Sequence, residues 1–262
     1  MNGLSVFFVI FAYAAILIFI VGILGNVWKY ATTPAPLKIP LNPSPVTDAG
    51  VVRRMSADVL LFKSLFRSNK LIWLGGYVFH IGLLLVLIKH YRFLFSLQPH
   101  IITYLDTYEM YAGFIMLGGL AYLFMMRLVV DRTRYITVMS DYGILLLLMA
   151  IGATGVYQRY VTHIDIPGIK QFFSGLVSFN PQPLPVGKTI LVHLSLVFLL
   201  LIYFPFSKLM HSIGVFFSPT RNQVDNPRDL KEPWRAPWAE GVTVTPEVFS
   251  ADEGETAQAQ AN

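Results

Sequence analysis

Apolar runs alternate along the chain with short polar connections carrying proline, arginine or lysine. Five runs are long enough to cross a hydrocarbon core of roughly 30 Å, at about 4–26, 71–93, 109–130, 142–158 and 187–217. The connection after the first run is rich in proline from Pro34 to Pro45 and should be extended. It is followed by SADVLLFKSLFRSNK (56–70), where Val59, Leu60, Phe62 and Phe66 share a segment with basic residues. With Ser56 as N-cap, this segment predicts a basic amphipathic helix along the inner interface or under a cytoplasmic subunit. The connection 164–186 has apolar residues at helical spacing before a proline-broken exit, which suits a lid over the outer end or an interfacial helix. The tail from Ser218 is polar, and its last dozen residues should be disordered unless a partner holds them, with Trp234 and Trp238 as anchors.

Composition turns this pattern into a fold class. The chain has 262 residues, 55% of them hydrophobic and 13% charged, which excludes an ordinary soluble domain. The expectation is an all-α integral membrane protein, a five-transmembrane-helix bundle over residues 1–217 with a cytoplasmic tail over 218–262. No basic residue precedes the first run, so it reads as a retained anchor rather than a secretory signal. Absence of cysteine excludes a cysteine-ligated iron–sulfur cluster, a disulfide and a c-type haem attachment within the chain. The net charge of +5 reflects topology rather than nucleic-acid binding. Fifteen of the twenty lysines and arginines fall on one side of the five-span layout, leaving Lys89, Arg92, Arg159, Lys170 and Lys188 opposite. This asymmetry predicts an outer N-terminus and a cytoplasmic C-terminus.

Four of the six histidines lie within two apolar runs: His80 and His90 in the second, His193 and His211 in the fifth. An ionisable side chain within a span is costly, faces the protein interior and marks a functional site by default. Because these runs cross in opposite directions, His80 and His211 fall toward the cytoplasmic side, and His90 and His193 toward the outer side. Ten residues of helix rise about 15 Å and eighteen about 27 Å, so tilt, imidazole reach and bending near Pro205 have to absorb the difference. Two facing imidazoles suit the axial positions of a six-coordinate haem, whereas zinc wants three or four clustered ligands. The spacing favours two haems, with the iron bound through His80, His90, His193 and His211. Arg92 and Arg159 lie near the outer ends of their spans and are candidates for haem propionate or quinone contacts. His100 and His163 read as solvated bystanders.

FHIGLLLVLIKH (79–90), the Pro99–His100 pair and LVHLSLVFLLLIYFPFSKLMH (191–211) resemble the cytochrome b (gamma) subunit of respiratory nitrate reductase, a NarI-like family, over roughly residues 70–215. In that family the corresponding histidines hold two b haems, paired as above. The continuation GVFFSPTRNQVDNPRDL (214–230) and the acidic tail look more like DsrM, the membrane cytochrome of the DsrMKJOP complex of dissimilatory sulfur metabolism. The family's basic quinone-binding residue has no counterpart here, where Tyr108 and Glu109 stand, so its quinone site is not carried over.

The resemblance implies a quinol/quinone-oxidoreducing subunit of a respiratory complex in a bacterial or archaeal cytoplasmic membrane. It would exchange electrons between menaquinone or ubiquinone and a cytoplasmic, heterodisulfide-reductase-related (DsrK-like) iron–sulfur subunit, beside other membrane and periplasmic subunits. Rival readings are the gamma subunit of a nitrate reductase, a cytochrome of another quinol-linked molybdoenzyme or of a hydrogenase, and a haem-free anchor or proton relay.

Overall fold

The computed structural model describes residues 1–34, 44–94, 100–185 and 187–224; for residue 94 and residues 100–110 the description covers the backbone only. The described residues form ten α-helices joined by short 3₁₀ and π turns, with no strand among them. Five helices are long and apolar enough to cross a membrane: α1 (Gly3–Thr32), α4 (Lys70–Leu94), α5 (His100–Val129), α7 (Met139–Tyr157) and α9 (Lys188–Tyr203). Shorter helices lie between and after them: α2 (Asp48–Leu61), α3 (Lys63–Ser68), α6 (Asp131–Tyr135), α8 (Ile166–Val177) and α10 (His211–Gly214). The tail beyond residue 224, including Trp234 and Trp238, lies outside the described residues.

The bundle has two packing centres. Phe79, Met116, Leu120 and Leu145 bury one between α4, α5 and α7. Phe8, Val9, Ala12 and Ala15 of α1 meet Ile190, Leu194 and Phe198 of α9 in the other, and α8 adds Ile169, Phe172 and Leu176. Three buried residues facing the bundle make α8 a packed cover for one end of it, with Tyr13 Oη donating to Leu176 O at 3.0 Å.

Glycine sets how closely α4 and α5 approach. A Cβ on Gly119 would lie 2.7 Å from the Phe79 backbone nitrogen, and one on Gly82 would lie 2.5 Å from that of Met116. Backbone cannot rotate away as a flexible side chain can, so these two glycines are required where Gly118, with open space around it, is not. Gly119→Ala should therefore cost ~1–3 kcal/mol through overpacking, while Gly118→Ala should be near neutral; thermal unfolding of the two variants in detergent separates them.

Two sequence expectations need correction. The fifth run is not one helix to residue 217: regular α-helix stops at Tyr203, and Phe204–Phe206, Lys208–Met210 and Val215–Phe217 are 3₁₀ turns flanking α10. Pro205 has no N–H to continue the ladder, and Ser207 is extended at φ −115° and ψ 171°. Asn26 of α1 compensates, its Nδ2 donating to Pro205 O at 2.9 Å. The helical arithmetic that gives about 27 Å of rise between His193 and His211 thus ends before His211. The amphipathic segment likewise begins at Asp48, not Ser56, with the Thr47 hydroxyl accepting from Gly50 N. It then breaks at Phe62, whose φ of 51° lies in the left-handed region.

Candidate functional site

α4 packs mainly on α5 and α8, and α9 on α1 and α7, so α4 and α9 are not joined along their lengths. The four intramembrane histidines meet across the space between them. His80 and His211 have ring centroids 6.2 Å apart with planes at 85°, and His90 and His193 have centroids 6.4 Å apart with planes at 21°. Among the described residues no three or more His, Asp or Glu side chains converge in a metal-binding group.

Each imidazole is oriented through Nδ1. His80 Nδ1 lies 2.7 Å from Gly76 O, His90 Nδ1 2.7 Å from Val86 O, and His211 Nδ1 2.7 Å from Lys208 O. A carbonyl only accepts, so Nδ1 carries the proton in all three and Nε2 presents its lone pair. His193, 9% exposed, uses a different partner: its Nδ1 lies 2.8 Å from Thr154 Oγ1. That hydroxyl in turn reaches Ala150 O at 2.8 Å and Ile151 O at 3.0 Å. One hydroxyl proton can serve only one acceptor. With the proton given to a carbonyl, Thr154 Oγ1 accepts from His193 and the same tautomer results. Gly155 provides room for the ring, since a Cβ there would stand 3.3 Å from His193 Cε1.

The separations define what such pairs can hold. Imidazole binds a metal at about 2 Å, and a ring nitrogen lies about 1.1 Å from its centroid given C–N bonds of about 1.33 Å. Two imidazoles on opposite sides of one ion therefore have centroids about 6.2 Å apart. Both pairs match that spacing, and all four Nε2 atoms carry the lone pair such bonding needs. The donor set fits two six-coordinate haem irons. Arg92, two residues past His90, has a buried Nε with no hydrogen-bond partner among the described residues, while its guanidinium stacks 5.4 Å from the Phe93 ring. Arg159 is exposed in the π turn that follows α7.

Supports not evident from sequence surround the inner pair. The Phe62 ring packs edge-on against His80 at 4.8 Å. Asp141, with 4% of its side chain exposed, accepts from Lys208 Nζ at 2.7 Å and from Val138 N at 3.1 Å, with Arg127 3.8 Å away. Nothing local in the sequence marks these contacts, because Asp141 and Lys208 are 67 residues apart. The backbone of α5 begins at His100, nine residues before the run expected to contain it; the side chains of His100, Tyr108 and Glu109 lie outside the described residues.

A family model described as nitrate reductase gamma subunit matches residues 49–224. The chain belongs to that family of membrane cytochromes b. Among its relatives is the Hdr-like menaquinol oxidoreductase cytochrome b-like subunit of Archaeoglobus fulgidus, 32% identical over 94% of this chain and 90% of that protein. The protein of the same description from Archaeoglobus profundus is 29% identical over 85% of this chain and 80% of its own length. Within the NarI-like family the chain is thus of the DsrM-like kind, and its five apolar helices make it a multi-pass membrane protein of bacterial or archaeal type. α1 and the Pro34–Pro45 connection precede the matched region, so the clasp of Asn26 on Pro205 is made by a helix the family model does not cover.

Proposed function

We propose that this chain conducts electrons across the membrane between the quinone pool and a cytoplasmic iron–sulfur partner, as the quinol-oxidoreducing subunit of a larger complex. In this reading His90 and His193 hold one b haem toward the outer side, and His80 and His211 hold a second toward the cytoplasm. The N-terminus is outside, residues 1–217 form the cytochrome domain, and residues 218–262 form a cytoplasmic tail. The observation that carries the reading is the pair of imidazole separations, 6.2 and 6.4 Å, each close to the spacing that two imidazoles on opposite sides of one iron would take. The menaquinol named in the description of the relatives supports a naphthoquinol as electron donor. The Hdr-like description of the relatives supports the proposed partner, a DsrK-like, heterodisulfide-reductase-related iron–sulfur subunit of dissimilatory sulfur metabolism.

A haem held by two imidazoles, His90 with His193 or His80 with His211, would supply single-electron exchange without binding substrate. The chain's own residues set the terms of that exchange. The Nδ1–H bonds to Gly76, Val86 and Lys208 carbonyls and to Thr154 fix ring orientation and strengthen each Nε2 as a donor. Ten residues of α4 separate His80 from His90, about 15 Å of rise, so the two centres stand one beneath the other across the bilayer. The orphaned Nε of Arg92 suits a haem propionate at the outer end. Exposed Arg159 has the same charge at that end and serves there as a secondary propionate or quinone contact.

The deciding measurement is a dithionite-reduced minus oxidised spectrum of the purified chain with haem counted per polypeptide. Two b haems are expected; none in a folded preparation would sink the proposal in favour of an anchor or proton relay. Co-purification of an iron–sulfur subunit with the full-length chain identifies the partner. A finer prediction concerns Thr154→Val. Loss of the Nδ1 acceptor of His193 weakens that ligand's donation to ferric iron, so the potential of one haem should rise by tens of millivolts. Redox titration should show the other haem unmoved.

A further inference from the structure

At the end of the bundle nearest His193 the chain leaves α7 through a π turn, Gln158–Thr162, and enters His163 at φ 47° and ψ 96°. Single-turn π segments and left-handed non-glycine residues both cost energy and cluster at functional sites. Gln158 is 5% exposed, and its side-chain amide donates to Thr189 O at 3.3 Å, tying the π turn to the first turn of α9. Between that turn and the covering helix α8 lies a cavity of about 180 Å³, lined among others by Thr162, His163, Asp165, Ile169, Thr189 and Ile190. Thr189 precedes His193 by one helical turn, about 6 Å along the axis. Sequence alone makes His163 a solvated bystander; it is exposed, and it also forms part of a cavity wall.

The chemistry of the walls is mixed in a particular way. Ile169 and Ile190 are buried and offer apolar faces. His163 and Asp165 offer groups that accept from a hydroxyl, with Asp165 Oδ1 also accepting from Gly168 N at 3.1 Å. α9 starts at Lys188 with no side-chain cap, so its first N–H groups have no intrahelical acceptor and can donate to an oxygen. A flat ring whose oxygens donate in one redox state and accept in the other is served by all three features. The volume, well above that needed for one ordered water and below a drug-sized pocket of roughly 300 Å³ or more, suits a bicyclic ring with its tail left outside.

We propose that this cavity binds the head group of a naphthoquinol, with His163 and Asp165 accepting from the hydroxyls of the reduced form and the first turn of α9 donating to the oxygens of the oxidised form. The assignment rests on the electron-transfer reading above for its ligand class, while its residues come from the cavity. It lies among the π turn that follows α7, α8 and the start of α9, and Tyr108 and Glu109, where the sequence departs from the family pattern, are not among its lining residues.

The test is equilibrium dialysis of menadione, a tail-free naphthoquinone, against the purified full-length chain in detergent, with haem content measured on the same samples. Two variants are compared with wild type. His163→Asn keeps a residue that tolerates positive φ but removes the imidazole, and Thr189→Phe fills the cavity. Binding weakened about tenfold in the first and abolished in the second, with haem content unchanged, supports the assignment. Binding equal to wild type in both variants overturns it, as does absence of menadione binding by the wild-type chain. Loss of binding only together with loss of the outer haem also overturns it, since the walls would then serve haem carboxylates. A wild-type chain without haem that binds menadione in the expected variant pattern would retain this site while the haem reading fell, so the two failures are distinguishable.

Discussion

Replacing His193 with alanine should leave a folded chain that carries one haem instead of two. His193 is the most buried of the four imidazoles, and its Nδ1 is held by Thr154 on α7 while His90 faces it from α4 at 6.4 Å between centroids. Removing it deletes one of only two ligands, and a single imidazole from His90 cannot fill both axial positions. The inner pair shares no residue with this one, so its haem should persist, and the reduced-minus-oxidised difference should fall to about half its wild-type amplitude. Imidazole added to the buffer should restore part of the lost signal by entering the space left by the side chain. Retention of both haems in this variant would remove His193 from the ligand set. His80→Ala is the reciprocal case, with the surviving haem being the one lost from His193→Ala.

Asp141→Asn should injure the inner centre selectively. The carboxylate accepts from Lys208 Nζ, and the carbonyl of the same Lys208 accepts from His211 Nδ1. One residue thus joins α7 to the 3₁₀ turn just before His211, in a region where Pro205 has ended the regular helix. An amide in place of the carboxylate keeps the Val138 N–H bond but removes the charge that draws Lys208 and Arg127 inward. Breaking a buried ion pair can cost several kcal/mol. Here Lys208 is 66% exposed and recovers hydration when released, so ~1–2 kcal/mol is the expected loss of stability. Thermal unfolding in detergent should register that loss, and redox titration should show the inner haem shifted or partly absent with the outer one unchanged. Asp141→Glu should recover most of both. Equal displacement of the two haems would mean that Asp141 acts on the bundle as a whole.

The contrast between these two residues shows what the sequence could disclose. His193 is visible at once because an ionisable side chain amid apolar neighbours needs a reason, and opposite crossing directions suffice to match it with His90. Five helices were equally legible from apolar runs, and a disturbance near Pro205 was foreseen from its missing N–H. Asp141 is invisible by comparison: it reads as a first-turn acid of α7, and its partner lies on another span. Thr154 is hidden for the same reason, since its hydroxyl serves α7 carbonyls as well as the imidazole of α9. The left-handed turns at Phe62 and His163 are hidden differently. Neither position carries glycine; histidine is among the residues that tolerate positive φ, whereas Phe62 adopts it against local preference, its ring packed on Tyr77 and His80. The break at Phe62 divides the expected amphipathic helix and turns an aromatic ring onto His80.

The packing of α1 against α9 has a consequence for the order in which the molecule is made. Synthesis of α1 precedes that of α9, so Phe8, Val9, Ala12 and Ala15 lack their α9 partners until α9 arrives, and Asn26 waits equally long for Pro205 O. Contacts of such sequence separation form late. Each histidine pair also takes one member from the segment that begins at residue 188, so α4 can enter the bilayer with both of its imidazoles and still hold nothing between two ligands. Neither imidazole pair can be completed before α9 is made, and a chain arrested before α9 would be a membrane-inserted protein with both pairs unfinished.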